Sequence, residues 1–440
     1  MTRTHEIITY LTHINTRALY IFSIPALLGF LMCGGLNRAF QGQSVRWWTA
    51  LVIWMVLCVP FSIWKADSLE TVAAVIRANY VLLLFLAGIP MVWKHSRLLL
   101  LTIGFSGIAH VVIAILFTEK TGDRLGTEFA TLGNPTDLAA ILVLLLPFMA
   151  YLVMYPPPMK IFWRVVGVVS MAYALYRIIA SGSRGAVIAM AAALVIVLVK
   201  ANSRQRIFTV AFLLAGAVIA IPVVPKATLG RLLSYSADRG SNQEEVESAW
   251  IRKRLFEEGI STTLSHPLFG VGPNQFGNFQ GKQKEQHAGE AIVGWGNAHN
   301  SYLQISSDTG FPGFVFDIAA MVSMLVLIQK TGTKARLAGL SEQANASLYM
   351  LIGCVAFCIA IFFLNFAYLA FLPAMSGVSI AVANGVDQEI ARRRLSAAAQ
   401  QTVAAPRFSS NPAFSPQSSK PSVPASPAPV RNRFRFGRYR

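Results

Sequence analysis

Apolar residues run through this chain in long blocks separated by short polar connections. The blocks lie near 18–36, 47–64, 72–93, 98–117, 137–155, 161–180, 185–200, 207–225, 313–329, 346–365 and 366–385. Each approaches the roughly 20 residues that a helix needs to cross a bilayer. Hydrocarbon offers no partner for a backbone N–H or C=O, so blocks of this length predict helices. The pattern therefore predicts an all-α polytopic membrane protein with about 11 transmembrane helices, or 12 with one further span in the first hundred residues. Segment 301–312 reads as a half-helix leading into the block that starts at 313.

The polar positions divide the chain. Residues 1–225 are transmembrane helices with short loops, 301–390 are the C-terminal transmembrane helices, and 226–300 is the one connection long enough for a small loop domain. In it Ser241-x-x-Glu244 has capping-box spacing, and Val246, Trp250, Leu255, Ile260 and Leu264 recur with roughly helical period. This predicts an amphipathic helix over 243–264, lying at the membrane surface and stopping near His266-Pro267. Gly270, Gly272, Pro273 and Gly277 then predict a turn-rich loop. The tail 391–440 opens on Arg392-Arg393-Arg394 and is, from about 396, rich in Ser, Pro, Ala and Arg with no acidic residue. Such a composition buries no core and predicts a disordered basic segment held loosely to anionic lipid.

Composition agrees with the pattern. The 440 residues are 54% hydrophobic and 13% charged, about half the charged fraction of a soluble domain. The net charge of +18 follows from basic loops and the tail, and no soluble basic domain exists to bind nucleic acid. Lys94 to Arg97, Lys160 to Arg164, Lys200 to Arg206 and Lys330 to Arg336 alternate as cytoplasmic connections. The tail then falls on the cytoplasmic side, and loops 118–136, 181–184 and 226–300 face outward. The same count puts the N-terminus outside, against Arg3 and Arg17, and a twelfth span would reverse that. Cys33, Cys58, Cys354 and Cys358 lie in apolar runs without a Cys-x-x-Cys, so neither a disulfide framework nor a thiolate metal site is indicated. The first block lacks a small-residue cleavage site and reads as a retained anchor.

Outward-facing polar residues are the candidates for chemistry. Arg184, in Ser181-Gly182-Ser183-Arg184-Gly185, is either an interfacial snorkelling arginine or part of an anion site. Small neighbours and the N-terminus of the following helix favour the anion. Arg252, in Trp250-Ile251-Arg252-Lys253-Arg254, either faces solvent and headgroups or faces a site. Residues two apart point to opposite sides of a helix, so only one of Arg252 and Arg254 does the latter. Arg124 and Asn134 lie in loop 118–136, and Asn134 to Asp137 also suits a helix cap. His299 is flanked by Asn297 and Asn300, after a Gly-rich loop and before an apolar helix. A neutral imidazole there accepts a hydroxyl proton near neutral pH, although a structural histidine is the commoner case. No Asp-x-Asp pair, His-x-x-x-His, phosphate loop or chain of intramembrane acids occurs, so metal catalysis, ATP and proton-coupled transport lack support.

These residues resemble the O-antigen ligase and polymerase superfamily of bacterial inner-membrane glycosyltransferases, and the O-antigen ligases most. The likeness rests on Gly133-Asn134-Pro135-Thr136-Asp137 and Ser181-Gly182-Ser183-Arg184-Gly185. It rests also on Arg252 through His266-Pro267-Leu268-Phe269-Gly270-Val271-Gly272-Pro273, and on Ala298-His299-Asn300-Ser301-Tyr302-Leu303 followed by Gly310-Phe311-Pro312-Gly313. The four stretches stand in family order across about 120–315. Thr136 and Phe256 depart mildly from the usual Asn and Trp, and the tail after 395 is outside the likeness.

The resemblance implies a GT-C-like architecture and a periplasmic active site. It also implies transfer of O-antigen from undecaprenyl pyrophosphate to a sugar hydroxyl of lipid A-core, without metal, cofactor or ATP. His299, Arg184 and Arg252 would be catalytic, with Arg124, Asn134, Gly270, Gly272, Asn300 and Tyr302 in substrate binding. A protein O-oligosaccharyltransferase and an O-antigen polymerase share the donor chemistry. A lipid or polysaccharide transporter is the reading from another class.

Overall fold

A computed structural model describes residues 25, 27–89, 92–121, 124–127, 134–224, 228–230, 243–286 and 298–404. Most of the first apolar block before residue 27, Gly133, Ser241, Asn297 and the tail from 405 lie outside the described residues. In chain order the helices are α1 (Gln43–Phe61), α2 (Lys65–Gly88), α3 (Trp93–Leu116), α4 (Pro135–Met154), α5 (Lys160–Ala180) and α6 (Arg184–Lys200). There follow α7 (Ser203–Val223), α8 (Gln243–Ser265), α9 (Phe276–Gln286), α10 (Ser301–Leu337), α11 (Ser341–Phe363) and α12 (Phe371–Ala404). Seven of these, α1 to α5 with α10 and α11, are long and apolar enough to cross a membrane. The protein is an all-α polytopic membrane protein. Among the described residues one hairpin interrupts the helices, Thr118–Thr121 paired antiparallel with Arg124–Thr127.

The core is built on α4. Its N-cap Asn134 accepts from Thr136 N–H at 3.0 Å, and Pro135 supplies the preset φ of a first helical residue. Leu138 to Leu145 are buried without interruption, as expected of a helix covered on every side. Neighbouring helices approach it at glycines: a Cβ on Gly104 of α3 would stand 2.8 Å from Phe148 O, and one on Gly353 of α11 2.8 Å from Leu144 O. Close approach at small residues gains dispersion contacts where lipid removes most of the hydrophobic drive. Tyr151 of α4 places its hydroxyl on Glu342 at 3.1 Å, and Arg97 neutralises that carboxylate at 2.8 Å.

One feature departs from the expected pattern and one agrees with it. Helix α12 continues through Ala404, so the boundary expected at 391 falls inside a helix. Residues 391–404 are rich in Ala, Arg and Gln, and Glu389 pairs with Arg392 at 2.9 Å and with Arg393 at 3.5 Å, both of which favour helix. The long α10 is broken at Gly310, whose φ of 71° and ψ of −176° no helix contains. It is thus a half-helix, 301–309, followed by the membrane portion, with Pro312 in the first turn beyond the break.

Candidate active site

His299 is placed by the start of the half-helix. It adopts the left-handed conformation at φ 47°, uncommon for a residue with a side chain. The next residue, Asn300, is the N-cap: its Oδ1 accepts from Tyr302 N–H at 3.0 Å and Leu303 N–H at 3.1 Å. The cap fixes the chain direction and so aims the imidazole. Asn300 is only 4% exposed and its Oδ1 is committed to the helix, so it holds His299 through the backbone.

Helix α8 brings up the cation. It packs along the half-helix, with Thr263 Oγ1 bonded to Ser306 Oγ at 3.0 Å and Gly259 seated on Leu303. Leu255, Phe276 and Ala298 form a small buried cluster beside Ile251. Beside this cluster the two arginines of α8 have different surroundings. Arg254 lies 2.8 Å from Glu258 and 5.5 Å from the Trp250 ring centroid. Arg252 is exposed and near enough that its charge acts on the imidazole. The His299 pKa is lowered, first by burial and then by Arg252, so the neutral ring is favoured.

Arg184 opens α6 from a turn that Gly182 enters at φ 62°. Ser183 caps that helix by accepting from Ala186 N–H at 3.3 Å, and Ser181 Oγ accepts from Ser183 N–H at 3.2 Å. Gly185 lies against the Phe363 ring, where a Cβ would come within 2.6 Å. Phe363 touches Phe362 at 5.2 Å between centroids, and Phe362 in turn meets Tyr302 at 6.4 Å and Phe256 at 6.5 Å. Aromatic contacts thus join the Arg184 turn to the His299 helix. Arg177, one of the largest fully buried side chains, ends α5 just before this turn. The sequence reading passed over it, although an arginine inside an apolar span signals a functional site.

The other expected residues have local tasks. Asn134 caps α4, accepting also from Thr136 Oγ1 at 2.6 Å. Arg124 lies on the hairpin opposite Thr121, and its side chain is outside the described residues. Tyr302 donates its hydroxyl to Cys358 O at 2.6 Å, which leaves its ring for other contacts. Gly270 and Gly272 permit close approach, but the approach is to protein. A Cβ on Gly270 would enter the Asp308 backbone, and one on Gly272 the Ser62 side chain. Val271 N–H donates to Ser307 O and Gly272 N–H to Asp308 O, each at 3.0 Å, so loop 267–276 is pinned to the half-helix. Phe269 holds the loop from its other side, stacked on Phe61 at 4.1 Å and Trp54 at 5.3 Å.

Asp308 is the anchor that sequence reasoning missed. Fully buried, it accepts from the N–H groups of Asn274 at 3.1 Å, Gln275 at 3.1 Å and Phe276 at 2.8 Å, and from the Tyr368 hydroxyl at 2.8 Å. The carboxylate caps α9 and ties loop 364–370 to the half-helix. A lone acid two residues before Gly310 in an apolar stretch was the available signal.

Residues 169–317 match the family model described as O-antigen ligase. Arg184, Arg252, Gly270, Gly272, His299, Asn300 and Tyr302 fall inside that span, and Arg124 and Asn134 outside it. No curated protein matches the chain significantly.

Proposed function

From the membership of this chain in the O-antigen ligase superfamily through residues 169–317, we propose that it is an O-antigen ligase. It moves O-antigen from undecaprenyl pyrophosphate to a sugar hydroxyl of lipid A-core at the periplasmic face of the bacterial inner membrane. The observation that carries this reading is a half-buried imidazole kept neutral beside an arginine, at the capped start of a half-helix. Residues 226–300 then belong to the periplasmic side and the tail from 391 to the cytoplasmic side.

In this reading the acceptor hydroxyl attacks the anomeric carbon of the donor as its proton passes to His299. The bond from that carbon to the pyrophosphate oxygen breaks, and undecaprenyl pyrophosphate leaves with the electron pair. Direct displacement inverts the carbon. Arg252 and Arg184 meet the charge that develops on the leaving group, as guanidinium forks suit phosphate oxygens. Preorganised charge of this kind is worth on the order of 3 kcal/mol per donor. The step uses neither metal nor ATP.

The test is expression of His299→Ala and Arg184→Ala in cells lacking their own ligase. Each variant should lose polysaccharide-capped lipopolysaccharide, and normal capping at normal protein level would refute the assigned roles. Reconstitution with lipid-linked glycan and either lipid A-core or an acceptor protein fixes the acceptor class.

A further inference from the structure

Segment 363–366, which leads out of α11, runs between the two halves of the candidate site. Gly185, next to Arg184, packs on the Phe363 ring, where a Cβ would come within 2.6 Å. Ser301, two residues after His299, donates its hydroxyl to Leu364 O at 2.7 Å and accepts from Phe366 N–H at 2.8 Å. Leu364 and Phe366 are buried, and Asn365 stands half-buried between them. Its Oδ1 is shielded from solvent and, among the described residues, receives no hydrogen bond.

Gln304 is in the same position. Ser301, Gln304 and Asp308 lie at i, i+3 and i+7 of the half-helix and so share a face. Ser301 turns that face to 364–366 and Asp308 turns it to Tyr368, so Gln304 also looks onto segment 364–368. Gln304 is only 7% exposed. Its Nε2 donates to Asn274 Oδ1 at 3.3 Å, while its Oε1 is a second shielded oxygen without a donor among the described residues. The fold gives Asp308, on the same face, four donors, so the shortage is local. Unmet buried acceptors are costly, and native folds keep few of them. Here two line one seam, beside the start of the half-helix that follows His299.

Two acceptors ask for donors, and that sorts the ligands. The diphosphate of a lipid-linked donor is esterified on both phosphorus atoms, fully ionised at neutral pH, and has no O–H to offer. Sugar hydroxyls do donate. We infer that Gln304 and Asn365 are specificity-determining residues that accept hydrogen bonds from two hydroxyls of the sugar reacting at His299. The inference rests on the ligase reading above. Asn365 turns its oxygen to that sugar by rotation about its terminal torsion, which is soft in an amide. The acceptor sugar and the first sugar of the donor offer the same chemistry, and binding separates them.

The experiment uses full-length protein in nanodiscs, titrated separately with lipid A-core and with undecaprenyl-pyrophosphate-linked glycan, with transfer followed in the same preparation. Asn365→Leu removes an unmet acceptor, so its melting temperature should hold or rise. Asn278→Leu, which loses a made bond to Gln275 at 2.8 Å, should melt lower with both KM values unchanged. Asn365→Leu and Gln304→Met should each weaken binding of one substrate about tenfold and raise its KM alike, leaving the other substrate's values normal. A loss confined to lipid A-core supports the inference and assigns the acceptor sugar. A loss confined to the glycan supports it and assigns the donor sugar. Lower melting of Asn365→Leu with both affinities intact shows an amide that only holds the fold, and unchanged melting and affinities show oxygens met by water alone. Either result overturns the inference, as does equal weakening for both substrates. Binding needs no transfer, so the selective loss in a protein that transfers to no acceptor supports the sugar seat while refuting the ligase reading. Full transfer with normal KM values in both variants refutes the seat alone.

Discussion

The Tyr368 hydroxyl donates to Asp308 at 2.8 Å, joining residues 60 positions apart in sequence. Four donors converge on that one buried carboxylate. Asp308→Asn keeps the shape but turns an NH₂ group toward N–H donors. It should destabilise the protein by about 1–3 kcal/mol for each buried donor left unpaired. Tyr368→Phe removes a single donor and should cost about 1.5–3 kcal/mol. Thermal unfolding in detergent checks both, and equal melting of the two variants would count against the anchor role.

If His299 is the base of the proposed transfer, its imidazole sets the pH profile. Burial and Arg252 both lower the His299 pKa, so the base form persists below the ordinary value of about 6.5. Transfer should hold a plateau through neutrality and fall only in more acidic solution. Arg252→Gln removes one of the two causes, so its acid limb should move to higher pH. Stability follows the same sign. The unfolded chain takes up the proton first, so acidification below the ordinary imidazole range weakens folding, and His299→Gln should remove that component. Initial rates and melting temperatures between about pH 5 and 8 test it.

The two arginines on α8 should separate kinetically. Arg252→Ala should lower kcat by about a hundredfold, the scale of losing one preorganised charge. Arg254 is held by Glu258 and Trp250, and its loss should cost at most about 1 kcal/mol of stability with turnover nearly intact. Equal loss of turnover in both variants would contradict this division.

Glycine at 310 is required twice over. Its φ is 71°, and a Cβ there would enter the Leu268 carbonyl. Gly310→Ala should cost at least about 3 kcal/mol, because strain and overlap add. Folded yield by size-exclusion chromatography measures this. Gly230, around which a Cβ meets nothing within 4 Å, serves as the control for substitution alone.

Much of this architecture is written in local patterns. Apolar blocks announced the helices, Asn134 to Asp137 suited a cap that the fold places at Asn134, and 301–312 read as the half-helix that ends at Gly310. His299, Arg252 and Arg184 stand out as candidates because polar groups at an apolar edge are costly without a task. What stayed hidden depends on tertiary pairing. Gly270 and Gly272 signal close approach but not to what, and only the folded chain shows them against Asp308 and Ser62. Asn300 and Tyr302 read as substrate contacts in the sequence, and only the fold shows that Asn300 Oδ1 also caps a helix and that the Tyr302 hydroxyl donates to Cys358 O. Nothing in a sequence marks Tyr368 as the partner of an acid 60 residues away.

The break at Gly310 also decides what the site can sense. An unbroken α10 would carry every tilt of its membrane portion to its first turn, and tilt is how a span adapts to hydrocarbon thickness. Here the hydrogen-bond ladder stops at Gly310, and the segment before it is clamped to residues 267–276 and to Tyr368. The joint should therefore absorb hydrophobic mismatch, and turnover should be equal in thin and thick bilayers, as reconstitution in lipids of different chain length would measure.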